Sequence, residues 1–316
     1  MASARKRISQ FRRKSASTIC LTQRDAKILL ALHTYRFLTT DHIMALTGSE
    51  SRWGINKRLR LLYDHKYIDR PQAQRALFQY ADKRPTIYAL GNQGASLLWA
   101  RFGIPMPSSV YWTEKNRRVR EHYIEHTLGI AEFMVEIEMQ CREDGHLRLV
   151  PQDEILAASP PQIRTARYPF RWKTRVRHRG KAHEIAIAPD YVFGIEATLD
   201  DGSKSKRFYF AEIDRGTMPI NRRDIRQSSI MRKVLSYADT FERGLAKDRF
   251  GISGFQVLFV TTSQRRSADM QAAIANTDEF RVPANLMLFR DKANRQQALP
   301  FKQNWTNIQG KPADMV

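Results

Sequence analysis

The fold is decided where the sequence reads Pro189-Asp190-Tyr-Val-Phe-Gly-Ile-Glu196 and then Arg207-Phe-Tyr-Phe-Ala-Glu212-Ile-Asp214. Residues 191–196 and 207–213 are rich in β-branched and aromatic side chains, which favour strands. The intervening Asp200-Asp201-Gly202-Ser203 is typical of a turn. Together these segments predict a β-hairpin.

Three acidic residues stand at one end of this hairpin. In antiparallel strands the start of one strand lies beside the end of the next, so Asp190 is expected to meet Glu212 and Asp214. Carboxylates that converge repel each other unless a cation lies among them, and clusters of oxygen ligands are what Mg²⁺ or Mn²⁺ prefers. We therefore expect Asp190, Glu212 and Asp214 to be metal ligands.

The charge of the chain is strongly positive and uneven. Its 316 residues include 53 Lys and Arg against 32 Asp and Glu, a net charge of +21. Residues 1–120 alone carry 23 basic and 7 acidic side chains. Such a field attracts a polyanion, most commonly nucleic acid. The basic arm, residues 1–20, is expected to be disordered alone and to lie along phosphates through Arg5, Arg12 and Arg13.

The remaining composition indicates a cytoplasmic protein in a reducing compartment. Two cysteines are too few for a disulfide framework or a thiolate metal site. The basic arm lacks the apolar stretch of a signal peptide, and we expect no membrane span. The length suits two domains.

Residues 21–104 predict a winged helix-turn-helix. Three short helical patterns, each with a capping residue, are followed by two short strands, Tyr67–Arg70 and Thr86–Leu90. The third helix, from about residue 52 to residue 65, buries an apolar face. Its opposite side carries Trp53, Asn56, Lys57 and Arg60, and the wing adds Arg75, Lys83 and Arg84.

These side chains are the predicted contacts with double-stranded DNA, in the major groove for the helix and on the backbone for the wing. The alternative is a small helical domain with a solvated basic face, or one that contacts protein. A helix over residues 94–102 is a candidate element of a homodimer. Residues 105–120 are expected to be a linker.

Residues 121–291 predict an α/β sandwich with a mixed sheet, so that the whole chain is of the α+β or α/β class. The expected order is a long helix, three strands, a helix, a strand, a helix and a strand. The helix after the hairpin should turn Ile230, Val234, Tyr237, Phe241 and Leu245 to the core. Residues 292–316 are expected to form a polar tail that packs loosely or binds a partner.

The order of elements, Pro189-Asp190 and Glu212-Ile-Asp214 resemble the PD-(D/E)XK nuclease superfamily. Over residues 21–290 the chain looks more narrowly like the replication-relaxation family of plasmids and integrative elements. The narrower resemblance depends on the tandem of domains, on Phe210–Thr217 and on Ser229, Lys233 and Tyr237 spaced four apart. In the nuclease superfamily the Asp and the Glu hold Mg²⁺, and a Lys two residues after the Glu activates water.

This chain departs from the nuclease pattern at one position, because Asp214 stands where the Lys is expected. A carboxylate cannot supply the positive charge that steadies the phosphate. Lys233 or Arg215 could bring that charge from elsewhere, with Asp214 as an extra metal ligand; Asp190, Glu212 and Lys233 would then be catalytic. Alternatively, cleavage has been lost and Asp214 pairs with Arg215 near Arg222 and Arg223.

Three functions follow from the resemblance. The first is a DNA-binding protein of a plasmid or integrative mobile element, associated with the plasmid or the nucleoid, which acts in replication, transfer or their control. Its partners would be a relaxase, replication or transfer proteins. The second is an active Mg²⁺-dependent endonuclease. The third is a transcriptional repressor whose C-terminal half dimerises or binds a partner.

Overall fold

The computed structural model describes residues 11–14, 18–79, 85–104, 111–277, 280–292, 301 and 305–315. The chain divides into two compact units, Met1–Met139 and Gln140–Val316. The predicted mixed α+β class is confirmed. No helix among the described residues has the length and apolarity needed to cross a bilayer.

The first unit is mainly helical. Its helices are α1 (Gln23–Tyr35), α2 (Thr40–Thr47), α3 (Arg52–Asp64), α4 (Gln74–Gln79), α5 (Asn92–Phe102), α6 (Trp112–Arg117) and most of α7 (Glu121–Asp144). Its strands are β1 (Leu38–Thr39), β2 (Ile68–Asp69) and β3 (Ile87–Leu90), which pair antiparallel in the order β1-β3-β2.

Local capping explains where the first three helices begin. Thr22 and Asp25 form a reciprocal capping box at α1, as the sequence predicts. The side chains of Thr39 and Ser51 accept backbone N–H groups at the starts of α2 and α3. Gly48 ends α2 in the left-handed conformation, with a φ of 65°, which a side chain would strain.

The division between the units falls within α7, later than the expected linker at residues 105–120. Ile124 packs in a cluster with Phe37 and Ala89 of the first unit. The hydroxyl of Tyr35 donates a hydrogen bond to Glu138. Within the expected linker, residues 112–117 form α6, whereas residues 105–110 lie outside the described part.

Residues 11–14, expected to belong to a disordered arm, are packed against the first unit. The side chain of Phe11 is buried, and its carbonyl accepts a hydrogen bond from the hydroxyl of Tyr63 at 2.7 Å. The backbone N–H of Lys14 donates to Asp64 at 2.9 Å. These contacts correct the expectation for this part of the arm, because an aromatic anchor and α3 hold it in place.

The second unit is built on a sheet of seven strands among the described residues, in the order β12-β11-β10-β9-β8-β7-β4. Its strands are β4 (Leu147–Val150), β7 (Tyr191–Thr198), β8 (Lys204–Ile213), β9 (Phe255–Thr261), β10 (Met287–Asp291), β11 (Trp305–Asn307) and β12 (Pro312–Ala313). The sheet is mixed, because β8, β9 and β10 run parallel to one another and the other pairs are antiparallel.

The predicted hairpin is confirmed as β7 and β8, with Tyr191 opposite Ala211. A second hairpin, β5 (Trp172–His178) and β6 (Lys181–Ile187), forms a separate two-stranded sheet. This hairpin is absent from the order of elements predicted from the sequence, because the outward positions of β5 are basic. Alternate residues Trp172, Thr174 and Val176 are nevertheless buried, as in a strand with one face on the core.

Helices of the second unit cover the sheet. They are the end of α7, α8 (Gln152–Ala157), α9 (Pro161–Arg164), α10 (Ile230–Glu242), α11 (Leu245–Phe250) and α12 (Gln264–Ala275). The inner side of α10 contributes Ile230, Val234 and Tyr237 to the core, as expected. The expected core position of Phe241 is wrong, because 38% of this side chain is exposed.

The described part of residues 292–316, a segment expected to be a loosely packed polar tail, also differs from the prediction. Strand β11 pairs antiparallel with β10, and Trp305 on it is 1% exposed. The carbonyl of Met315 accepts hydrogen bonds from Tyr209 and Arg207 of β8. Residues 305–313 therefore add two strands to the sheet, and Trp305 and Met315 are buried against the core.

Candidate functional site

The centre of the candidate site is Glu212, near the end of β8 and only 2% exposed. Its two carboxylate oxygens accept hydrogen bonds from α10, Oε2 from the ammonium of Lys233 and Oε1 from the hydroxyl of Tyr237. Lys233 and Tyr237 are four residues apart, so they lie one above the other on one face of the helix. The ring of Phe210, two residues before Glu212, stacks on that of Tyr237.

Asp190 completes the site from the start of β7. Its Oδ1 lies 3.9 Å from Nζ of Lys233, and its Oδ2 accepts the backbone N–H of Ile213 at 2.8 Å. The carboxylate is 13% exposed, so this side of the cluster reaches solvent. The structure thus brings Asp190, Glu212 and Lys233 together, with the ammonium shared between two carboxylates.

Burial governs the electrostatics of the site. It raises the pKa of Glu212 to about 7, although the charge of Lys233 acts in the opposite direction. Burial alone would lower the pKa of Lys233, but the charges of Glu212 and then Asp190 outweigh it and raise the pKa. Lys233 and Glu212 are therefore both ionised in weakly basic solution, and Glu212 takes up a proton as the pH falls below about 7.

Asp214 is engaged by Arg266, although its charge also raises the pKa of Lys233. Its Oδ2 lies 3.0 Å from Nε of Arg266, and its Oδ1 lies 3.3 Å from Nη2 of the same residue. Oδ2 also accepts the backbone N–H of Gly216 at 3.1 Å. Arg266 in turn donates to the carbonyl of Met218. Asp214 therefore holds the segment after β8 against α12.

The predicted metal site thus retains two carboxylates, from Asp190 and Glu212. Within the described ranges no group of three or more His, Cys, Asp or Glu side chains is arranged to hold a metal ion. Two carboxylates still fit Mg²⁺, which is commonly held by one or two carboxylates while water and phosphate oxygens fill its other positions. The pair therefore suits a metal that arrives with a phosphate.

A pocket of about 170 Å³ lies beside Lys233. Its lining comes from α10 and the segment before it, from the end of β6 and the residue after it, and from Met218: Ser228, Ser229, Arg232, Lys233, Ser236, Ala186, Ile187 and Ala188. The guanidinium of Arg232 donates to the carbonyls of Arg226 and Ala186 at 2.9 and 3.2 Å. A cationic wall next to a carboxylate pair is suited to an anionic substrate.

In the first unit, α3 presents the predicted DNA-binding face to solvent. Trp53 is 75% exposed, and Asn56 and Lys57 are also exposed. The ammonium of Lys57 lies 5.1 Å from the ring centroid of Trp53. Oδ1 of Asn56 accepts a hydrogen bond from Thr40 at 3.1 Å, which leaves its amide N–H groups for other acceptors.

Other predicted DNA contacts are engaged within the unit. Nε of Arg60 lies 2.8 Å from Oδ2 of Asp64, and its Nη2 donates to the carbonyl of Arg12 at 2.7 Å. The guanidinium of Arg13 forms an ion pair with Asp69. Arg75 is exposed and lies over the ring of Phe11 at 4.7 Å. The predicted contacts Arg5, Lys83 and Arg84 lie outside the described residues.

Sequence reasoning missed two residues of the site. Tyr237 was recognised as a core residue and as part of the motif shared with Ser229 and Lys233, but no role at Glu212 was assigned to it, although it lies one helical turn from Lys233. Arg266 comes from α12, fifty-two residues after Asp214, and no local pattern links the two. The sequence predicted Asp214 as a metal ligand or, if cleavage has been lost, as a partner of the neighbouring Arg215.

Comparison with known families finds one matching family model. It is described as Replication-relaxation and matches residues 29–254, which include Asp190, Glu212, Lys233 and Tyr237. The match ends before β9 and therefore before Arg266. No curated protein and no solved structure matches the chain.

Proposed function

The chain belongs to the replication-relaxation family, and we propose that it binds duplex DNA of a plasmid or integrative element and acts in its replication or transfer, or in their control. The observation that carries the DNA-binding proposal is the solvent-facing side of α3. Trp53, Asn56 and Lys57 stand there together and exposed, in a segment of the chain with a large excess of positive charge.

The chemistry of these side chains suits a DNA groove. Lys57 pairs with phosphate or with guanine acceptors, and the amide of Asn56 matches the edge of adenine. The ring of Trp53 can pack on sugar. Arg60 is expected to contribute less, because Asp64 and the Arg12 carbonyl already hold its guanidinium.

The test is duplex binding by the full chain at several salt concentrations. Lys57→Ala should weaken binding and lower the slope of log affinity against log salt by about 1, because one phosphate contact is lost. The matched control is Lys27→Ala, an exposed lysine on α1. If the two variants lost the same affinity for duplex DNA, α3 would not be the DNA-binding element.

A second candidate function, Mg²⁺-dependent cleavage of the bound DNA, is favoured by the position of Lys233. Its ammonium lies between Glu212 and Asp190. Helix α10 would thus supply the positive charge that PD-(D/E)XK nucleases usually carry on a Lys two residues after the Glu. In this proposal Lys233 offsets the negative charge that develops on a phosphate. Tyr237 holds the carboxylate of Glu212 in one orientation.

Asp190 and Glu212 would hold the metal, which when bound supplies Lewis-acid stabilisation of phosphate oxygens. Cleavage is tested by nicking of supercoiled DNA in Mg²⁺ or Mn²⁺ by the wild type, Asp190→Asn and Lys233→Gln. The control is Asp224→Asn, an exposed acid paired with Arg226. Nicking that persists in Asp190→Asn, or that never occurs, would contradict this function while leaving DNA binding untouched.

A further inference from the structure

A pocket in the first unit stands apart from the exposed side of α3. It has a volume of about 220 Å³ and lies where the end of β2, the segment Phe11–Arg13 and helix α6 meet. Its polar lining includes Arg13, Asp69, Arg70, Asn116 and Arg117. Three guanidinium groups therefore share the pocket with one carboxylate.

The carboxylate of the pocket, that of Asp69, already has partners on both oxygens. Asp69 is 5% exposed; its Oδ1 is paired with Arg13, and its Oδ2 accepts a hydrogen bond from Nδ2 of Asn116 at 3.0 Å. The same amide nitrogen donates to the carbonyl of Leu90 at 2.8 Å. Asp69 thus forms its ion pair with Arg13 and is held in place by Asn116 of α6.

Arg70 and Arg117 also bring positive charge to the pocket. Arg70 is 8% exposed, and its guanidinium lies over the rings of Tyr63 and Tyr88, 4.6 and 5.3 Å from their centroids. Burial lowers the pKa of Arg70, so an anion in the pocket would stabilise its charged form. Arg117 is exposed and has no carboxylate within ion-pair distance in the part of the chain that the structure describes.

Two further cations lie around the same short helix. The guanidinium of Arg36 is 5.1 Å from the ring centroid of Trp112, and the ammonium of Lys115 is 4.9 Å from it. The nitrogens of the Arg36 guanidinium are buried, with no hydrogen-bond partner among the described residues. Burial lowers the pKa of Arg36, although the charge of Asp69 acts in the opposite direction. Even with Glu114 of α6 counted beside Asp69, cations outnumber carboxylates around this helix.

We propose that this pocket binds a phosphate group, held by Arg13, Arg70 and Arg117. Guanidinium groups bind phosphate oxygens through paired N–H donors, and three of them around one concavity match the charge of a phosphate better than that of a carboxylate. The volume is below the roughly 300–1,000 Å³ of pockets for drug-sized ligands, so the pocket suits a single phosphate group.

The experiment is calorimetric titration of the full chain with inorganic phosphate at constant ionic strength. Arg117→Ala should weaken binding by about tenfold or more, because a charge-assisted hydrogen bond is lost. Arg118→Ala is the matched control: it removes the same charge from an exposed neighbour that does not line the pocket. Since Arg117 is exposed, its replacement leaves the core intact.

A second titration identifies the source of the phosphate. Oligonucleotides of one sequence, with and without a 5′-phosphate, are compared for competition with inorganic phosphate. Competition only by the phosphorylated strand assigns the pocket to a nucleic-acid end, competition by both assigns it to the backbone, and competition by neither leaves free phosphate compounds as ligands. Equal weakening in Arg117→Ala and Arg118→Ala, or no saturable phosphate binding, would overturn the proposal.

Discussion

The ammonium of Lys233 donates a hydrogen bond to Oε2 of Glu212, twenty-one residues earlier in the chain. The bond joins α10 to β8 in the interior of the second unit, where Glu212 is almost fully buried. A charge pair in such a place stabilises the fold only while both members are present, because either charge alone would be desolvated without compensation.

Replacing Lys233 by Met should therefore destabilise the protein in a pH-dependent manner. At pH 8 Glu212 would be left as a buried anion or forced to take up a proton, and we expect the free energy of unfolding to fall by about 2–4 kcal/mol. At pH 5 Glu212 is protonated, so the loss should be smaller. Urea denaturation at both pH values measures this, with the exposed Lys247→Met as control. An equal decrease in the free energy of unfolding at both pH values would contradict an ionised Glu212 paired with Lys233 at pH 8.

The raised pKa of Glu212 determines the direction in which the free energy of unfolding should change with pH. Between the ordinary pKa of a glutamate and about 7, the folded state binds more protons than the unfolded state. The contribution of Glu212 to the free energy of unfolding is therefore favourable at low pH. As the pH rises through this window, that free energy falls by on the order of 3 kcal/mol. Glu212→Gln cannot titrate, so its stability relative to the wild type should rise from pH 5 to pH 8. The exposed Glu242→Gln should show no such trend.

Asp214 and Arg266 should be energetically coupled. A double-mutant cycle with Asp214→Asn and Arg266→Met is expected to give a coupling of about 1–3 kcal/mol in the free energy of unfolding, because the pair is nearly buried. The surface pair Asp224 and Arg226, treated the same way, should give a much smaller coupling, because water and salt screen it. Negligible coupling, together with weaker metal binding in Asp214→Asn, would instead support Asp214 as a ligand.

Trp305 should be essential for the second unit although it lies in a polar segment. Trp305→Ala is expected to lower the free energy of unfolding by about 3–5 kcal/mol, because a fully buried ring is removed from β11. Trp53→Ala, which removes an exposed ring, should change it by less than about 0.5 kcal/mol. Thermal or urea unfolding compares the two. A neutral Trp305→Ala would mean that the last strands are dispensable.

Several features could be predicted because their causes are local. The capping side chains of Thr22, Thr39 and Ser51 act within three residues of themselves, and each caps the expected helix. The pairing of β7 with β8 follows from two apolar segments joined by a short turn. That pairing in turn brings Asp190 near Glu212.

Other features depended on elements distant in the sequence. Strand β11 has little apolar character of its own, and it is a strand because β10 offers it a free edge. Residues 11–14 are basic, yet Phe11 finds a buried position against the first unit. Composition describes the average of a segment, whereas one aromatic side chain in the right place decides whether the segment packs.

The amino-acid sequence by itself determined the α+β class, the hairpin, and the approach of Asp190 to Glu212, since periodicity and turn chemistry act over neighbouring residues. Only the tertiary structure decided that Asp214 turns to Arg266 and that Lys233 and Tyr237 share the carboxylate of Glu212. The choice of partner for a charged side chain depends on which helix packs over the strand, and that packing is set by the whole core.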